Sequence, residues 1–321
     1  MAQINIGQEA NPVNQDSIVM PDSKSEKSES ITQIIVDDNK ILSPSEKITG
    51  LSTEELSDPN KITVTIADKE APIVVLFGPP ACGKTMTLIR LARFLREQEY
   101  KISPIKTFRP SYDSNYIEIC DNFDVMLNQD DAAKSTNKIS FMLVKVVTKD
   151  GRTVCQILEA PGEYYFNPQA PKSPFPKYFN SIKNSKNRKI WAIMVEPDWK
   201  DEGDRLNYVD RIGTLRKCMT AKDKAIIIYN KIDKTDFLID NSGNTHIGHA
   251  RKNISDLYPQ IFKHFKNDTP IVSWFVPYKF DFTVFQTGDY STAADGTTSF
   301  DQGPDVYPRK LWNIILKNVR G

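Results

Sequence analysis

From Gly78 to Thr85 the chain reads Gly-Pro-Pro-Ala-Cys-Gly-Lys-Thr: two glycines separated by four residues, then a lysine and a hydroxyl. These residue types at this spacing suit one chemistry, the holding of a polyphosphate. Gly78 and Gly83 permit positive φ and close approach of the backbone, so that N–H groups can turn inward on an anion. Gly78, Pro79, Pro80, Ala81, Cys82 and Gly83 form the cradle. Lys84 reaches the terminal phosphates, and the Thr85 hydroxyl is placed to coordinate Mg²⁺. The bland alternative is a glycine turn that happens to precede a helix.

The flanking sequence decides between these readings. Residues 73–77, Ile-Val-Val-Leu-Phe, are an unbroken apolar run that reads as a strand buried on both faces. Beyond Thr85, apolar residues recur at 88, 91, 92 and 95, which is helical spacing. Strand, glycine loop and helix N-terminus together are the context in which this motif, the P-loop, binds phosphate.

Two more buried strands end in chemistry-bearing residues. Residues 153–159 return from a hairpin at Lys149-Asp150-Gly151 and run into Glu159-Ala-Pro-Gly162-Glu163. Residues 225–229, Ala-Ile-Ile-Ile-Tyr, run into Asn230-Lys231-Ile232-Asp233. With the P-loop, these segments resemble the motifs of the Ras-like P-loop GTPases of the translation-factor-related (TRAFAC) class. The resemblance implies GTP or GDP with Mg²⁺ as cofactors. It gives Asp233 the guanine N1–H and exocyclic amine, and gives Asn230 and Lys231 the walls of the base pocket. A site built on such buried polar groups rejects the base that leaves them unpaired.

At the third motif the family has Asp-x-x-Gly; here Glu159 stands in the aspartate's place, as a water-mediated Mg²⁺ ligand, and the Gly162 N–H would sense the γ-phosphate. The family's water-orienting glutamine is replaced by Glu163. Counting back from Glu159 places the switch threonine at Thr136, with Ser135 in reserve and Thr107, Ser111 and Ser114 open. The implied catalytic set is Glu163, Lys84 and Thr136, and the metal set Thr85, Thr136 and Glu159. An arginine finger would come from Arg109 or from a partner. The fifth motif would follow a strand at 271–276, with Pro277-Tyr278 in place of Ser-Ala. Glu-Ala-Pro-Gly-Glu-x-x-Phe, with Asp198 at another strand end, also resembles the bacterial double-GTPase-like branch of the class.

Composition sets the bounds. The chain has 321 residues, 42 basic and 41 acidic, and a net charge of +1, so no global field points to nucleic acid or an anionic membrane. The sequence shows no signal-peptide pattern and no apolar stretch long enough for a membrane span, which argues against secretion and membrane spanning. The four cysteines (82, 120, 155, 218) lack metal or disulfide spacing, which fits a reducing cytoplasm. Residues 1–60 are polar and free of aromatics, the composition of a disordered tail, with 34–36 as a candidate docking strand.

The expected fold is a three-layer α/β P-loop domain over 61–321, its sheet mostly parallel with one antiparallel strand from the hairpin. Strands are expected at 61–66, 139–148, 153–159, 190–195, 225–229 and 271–276, besides 73–77. Helices are expected at 117–127, 207–218, 250–265 and 308–319. Three functional readings stand. One is a GTP-binding switch with slow or partner-assisted hydrolysis and a protein effector. Another is a non-hydrolysing nucleotide-binding scaffold, favoured by Glu159 and Glu163. The third is an ATP-dependent P-loop enzyme, which would make residues 230–233 an accident.

Overall fold

The apolar run before the glycine loop forms β1 (Ile73–Phe77), buried at every position. In the computed structural model, which describes residues 50–128, 141–237, 246–292 and 298–320, β1 lies at the centre of a seven-stranded sheet. Its partners are β2 (Lys101–Pro104), β3 (Met142–Val147), β4 (Thr153–Glu159), β5 (Lys189–Val195), β6 (Lys224–Tyr229) and β7 (Asp281–Val284). Their order is β2-β3-β4-β1-β5-β6-β7. Neighbours are parallel throughout, except that β3 runs antiparallel to both β2 and β4. The β3–β4 turn is the expected hairpin, with Gly151 at φ 90°. A small second sheet pairs β8 (Asp289–Thr292) with β9 (Thr298–Asp301).

Helices cover both faces. The helical spacing after the loop becomes α2 (Lys84–Glu97), which follows the short α1 (Thr53–Ser57) and buries Leu88, Leu91, Ala92 and Leu95. It packs with α3 (Ser114–Asn128), where Arg93 donates to the Leu127 carbonyl at 2.7 Å, and with the last helix. On the face presented by Phe77 and Trp191 lie two further helices. Of α5 (Lys177–Asn184), Phe179 meets Trp191; of α6 (Glu202–Cys218), Tyr208 stacks on Phe77. The short α4 (Gly162–Tyr165) follows β4, and α7 (Ile247–Leu257), α8 (Pro270–Phe275) and α9 (Val306–Arg320) complete the order. Each buried large apolar side chain contributes roughly 1.5–3 kcal/mol. The apolar residues of β1, β4, β5 and β6 are therefore the energetic centre of the domain.

Several elements differ from the sequence-based expectation. The 101–138 connection begins with an added edge strand, β2. Residues 61–66 alternate inward, Ile62 being buried, but they pair with no strand; Thr65 N–H donates to the Phe108 carbonyl instead. The 250–265 helix breaks after Leu257. Tyr258 precedes a proline, which disfavours helical backbone, and Gln260 turns left-handed at φ 72° before a separate 3-10 turn at Ile261–Phe265. The apolar run 271–276 is an exposed short helix opened by Pro270, and the sheet edge is taken by β7. A six-residue apolar run does not declare strand or helix by composition, and prolines at 270 and 277 suit a turn better than a ladder. The described chain is packed from Gly50 onward, so the expected boundary at 61 falls within folded chain. Ser135, Thr136 and most of the expected tail lie outside the described residues.

Candidate functional site

The loop between β1 and α2 is shaped by two left-handed residues, Ala81 (φ 61°) and Gly83 (φ 89°). Gly78 is not one of them, contrary to the expectation of positive φ there. Its value is space: a Cβ would stand 2.5 Å from the Cys82 sulfur. A non-glycine residue such as Ala81 in the left-handed region costs on the order of 1–2 kcal/mol. Strain of that kind collects where a loop is held in shape for a ligand. Lys84, buried, donates from Nζ to the Pro79 carbonyl at 2.9 Å, lying back along the loop.

Gly162 closes one wall. A Cβ there would fall within 2.5 Å of the Pro79 carbonyl oxygen, so the segment after β4 packs backbone to backbone on the loop. Glu159, at the end of β4, is fully buried. Its Oε1 accepts from Thr85 Oγ1 at 3.0 Å, while Oε2 is buried with no hydrogen-bond partner. Burial pushes its carboxyl up to about 7, against the opposing pull of the Lys84 ammonium and the Thr85 hydroxyl; the nearby Glu163 adds to the rise. An orphaned carboxylate oxygen beside a hydroxyl is a hard-oxygen donor pair, and these residues fit Mg²⁺. Among the described residues no group of three or more His, Cys, Asp and Glu could hold a metal.

The other wall comes from β5 and β6. Asn230 is buried; its backbone N–H donates to Val195 O at 2.8 Å, and its Nδ2 donates to Cys82 O at 2.8 Å. The amide fills the space a Cβ on Gly83 would need. Lys231, left-handed at φ 54°, pairs with Glu196, the residue following β5, and Lys234 pairs with Asp198. Burial raises the Glu196 carboxyl, with Lys231 opposing. Asp233 lies in the 3-10 turn Ile232–Lys234. After β7, residues 285–288 (Phe-Gln-Thr-Gly) lie beside this corner: Phe285 O accepts from Ile232 N–H at 3.2 Å, and Thr287 Cγ2 would be 3.4 Å from a Cβ on Gly83.

Sequence reasoning missed Glu196 and the 285–288 loop. The last strand of the sheet leads into Gln286–Gly288, whereas Pro277-Tyr278, expected to follow a strand, lies beyond α8 and before β7. The short alternation Asp-Phe-Thr-Val-Phe followed by Gln-Thr-Gly carried the signal, and the more apolar 271–276 run masked it.

The residues expected to act on the γ-phosphate are distributed differently. Glu163 is exposed in the first turn of α4. Arg109 is not free to serve as an arginine finger. It is buried, paired with Glu55 at 2.5 Å and Asp113 at 2.7 Å, and donates to Thr63 O at 2.7 Å. Arg211 of α6 anchors the chain beyond α4, donating to Tyr165 O at 2.6 Å and Ser173 O at 2.5 Å and lying 3.6 Å over the Phe175 ring. Burial lowers its guanidinium to about 10.

The strand order, the antiparallel β3 and the loop between β1 and α2 define a three-layer α/β P-loop NTPase fold arranged as a Ras-like G domain. No protein-family model matches the chain. No curated protein matches it either. Among solved structures, it is similar to the S. cerevisiae Ski7 GTPase-like domain bound to GTP, at 14% identity and TM-score 0.40, covering 84% of this chain and 53% of that one. The same domain bound to GDP and inorganic phosphate gives 14% and 0.41, with the same coverage. The RocCORdC portion of Methanosarcina barkeri Roco2 bound to GDP gives 12% and 0.34, covering 80% and 51%. The chain spans about half the length of these solved chains.

Proposed function

We propose that the chain binds a guanine nucleotide with Mg²⁺ and acts as a regulatory switch whose hydrolysis is slow or partner-assisted. The observation that carries this reading is the buried bond from Asn230 Nδ2 to Cys82 O. It fastens the Asn-Lys-x-Asp segment to the phosphate loop, which supports reading the two motifs as parts of one site. Asp233 would receive the guanine N1–H and amine, Lys84 the β- and γ-phosphates, and Thr85 and Glu159 the Mg²⁺. The bound metal would neutralise charge on the phosphate oxygens. Glu163 would have to take on the water-orienting role without an amide. With Arg109 committed to Glu55 and Asp113, the stabilising arginine would come from a protein partner.

Titration with fluorescent GDP, GTP and ATP analogues, with and without Mg²⁺, tests the reading. Guanine analogues should bind at least tenfold tighter than ATP, and Asp233→Asn should remove most of that preference. Equal affinity for ATP would sink the guanine assignment. Lys84→Ala should cost about a hundredfold in triphosphate affinity, since charge-assisted bonds contribute about 1.5–3 kcal/mol each. A second reading, the non-hydrolysing scaffold, is supported by the Glu159 and Glu163 carboxyl groups, close enough that the charge of one disfavours ionisation of the other. Single-turnover phosphate release, alone and with cell extract, separates the two.

A further inference from the structure

The end of the sheet away from the phosphate loop carries an unusual surface. β5, β6 and β7 are parallel and enter at Lys189, Lys224 and Asp281, so the segments feeding them lie at the pole opposite the loop, which follows the carboxyl end of β1. Between the 3-10 turn Ile261–Phe265 and β7 the chain forms a finger. Asn267 N–H donates to Pro277 O at 2.9 Å, Lys279 N–H donates to Phe265 O at 2.7 Å, and Lys266 faces Tyr278 across an antiparallel bridge. Phe262, Phe265, Tyr278 and Phe280 pack their rings at its base. Its tip is α8, where Ile271 is 79%, Trp274 90% and Phe275 83% exposed, with Val276 at 52%. Among the described residues, side chains this exposed have little protein surface beside them.

Around the base the charge is mainly positive. Lys263, Lys266 and Lys279 are exposed, and the last turn of α6, which packs on Ile261–Phe265, adds Arg216 and Lys217. The acidic groups nearby are Asp268, paired with Lys279 at 3.3 Å, and Asp210 on α6. Apolar tip above, cations below, is the layering of an interfacial anchor. Trp and Phe settle at headgroup depth without needing a complementary pocket, and lysines at the base meet the lipid phosphates. No helix among the described residues is long and apolar enough to cross a membrane.

We propose that residues 262–280 are a peripheral membrane anchor that inserts Ile271, Trp274 and Phe275 into an anionic lipid surface. Docked this way, the phosphate loop at the opposite pole faces water. The proposal does not depend on which nucleotide that loop binds.

Flotation of the full chain with vesicles tests it. The protein should float with vesicles of phosphatidylcholine and phosphatidylglycerol in equal parts, and hardly at all with phosphatidylcholine alone. Trp274→Ser with Phe275→Ser should lower partitioning roughly a hundredfold, about tenfold per buried aromatic. Changing Lys263, Lys266 and Lys279 to Gln should lower it by a similar factor, on about fivefold per cation. All five side chains are exposed, so thermal melting should be unchanged. Vesicle binding should blue-shift the Trp emission, and Trp274→Phe should remove the shift while keeping most of the binding. Equal flotation with neutral vesicles, or unchanged flotation of the Ser double variant, overturns the proposal. So does a concentration-dependent dimer that the double variant abolishes without any vesicle association, which would make a second copy the occupant.

Discussion

Two carboxylates flank the central strand, and they have been put to opposite uses. Glu159 ends β4 on one side of β1; Glu196 follows β5 on the other. Burial raises both, yet Glu196 Oε2 lies in an ion pair with the Lys231 ammonium, while Glu159 Oε2 is buried with no hydrogen-bond partner and its carboxyl feels Lys84 only through its field. The base corner is thus electrostatically closed, whereas the phosphate corner keeps an unsatisfied carboxyl oxygen beside Thr85. An unsatisfied buried group is costly unless a ligand is its intended partner. The difference teaches that the two corners answer to different tests: the phosphate corner to metal and pH, the base corner to loss of an ion pair.

The largest expected effect comes from the residue that joins the corners. Gly83→Ala meets two costs, a left-handed backbone at about 1–2 kcal/mol and displacement of the buried Asn230 amide at about 1–3 kcal/mol. Urea unfolding should show a loss of about 2–5 kcal/mol. Gly151→Ala is the matched control, since Gly151 has φ 90° and open space around it. It should lose only the backbone part. Equal losses at the two sites would mean that Asn230 does not hold the corners together.

Next is Glu159→Gln, read against pH in nucleotide-free, Mg²⁺-free protein. The folded carboxyl titrates at about 7, above its ordinary 4.5. Below 4.5 it is protonated whether the chain is folded or not, and the variant should match the parent. As pH rises from 4.5 to 7 the unfolded chain releases this proton while the folded protein still holds it, so the parent's stability falls relative to the variant. The gap should level off near 3 kcal/mol above pH 7. Parallel stability curves between pH 4.5 and 8 would show that the carboxyl is not desolvated.

What the sequence disclosed follows the same division. Gly78 to Thr85 is a short-range pattern, and the segments after β4 and β6 were singled out by residues within four positions of the strand ends; the fold brings both against the loop. Glu196 and Lys231 lie in separate segments, and nothing in either marks them as partners. The edge strand was misplaced because Ile271, Trp274 and Phe275 are more apolar than Asp281–Val284, although they face outward. Arg109 looked available because it sits in a connecting loop, while its partners Glu55 and Asp113 come from a segment expected to be a tail and from its own loop. Local motifs were legible; pairings across the fold were not.

Glu196→Gln should shift stability in the opposite sense from Glu159→Gln. It leaves the half-buried Lys231 without its carboxylate, and at pH 8 the protein should lose about 1–2 kcal/mol, less than for a fully buried pair. If it gained stability instead, the two carboxylates would be equivalent burdens and the contrast between the corners would fail.

The smallest effect tests where the fifth segment lies. Thr287 is placed against Gly83 and the Asn230 corner, whereas Tyr278 belongs to the finger at the other pole. Thr287→Ala removes a methyl and a hydroxyl at the edge of the proposed base pocket. One hydrogen bond or its equivalent is worth about 1 kcal/mol, so GDP affinity should fall about fivefold with the melting temperature nearly unchanged. Tyr278→Ala should leave GDP affinity where it was. If Tyr278→Ala weakened GDP binding and Thr287→Ala did not, then β7 and the loop that follows it would not form the base corner, and the pole carrying Trp274 would have to be the one that meets the nucleotide.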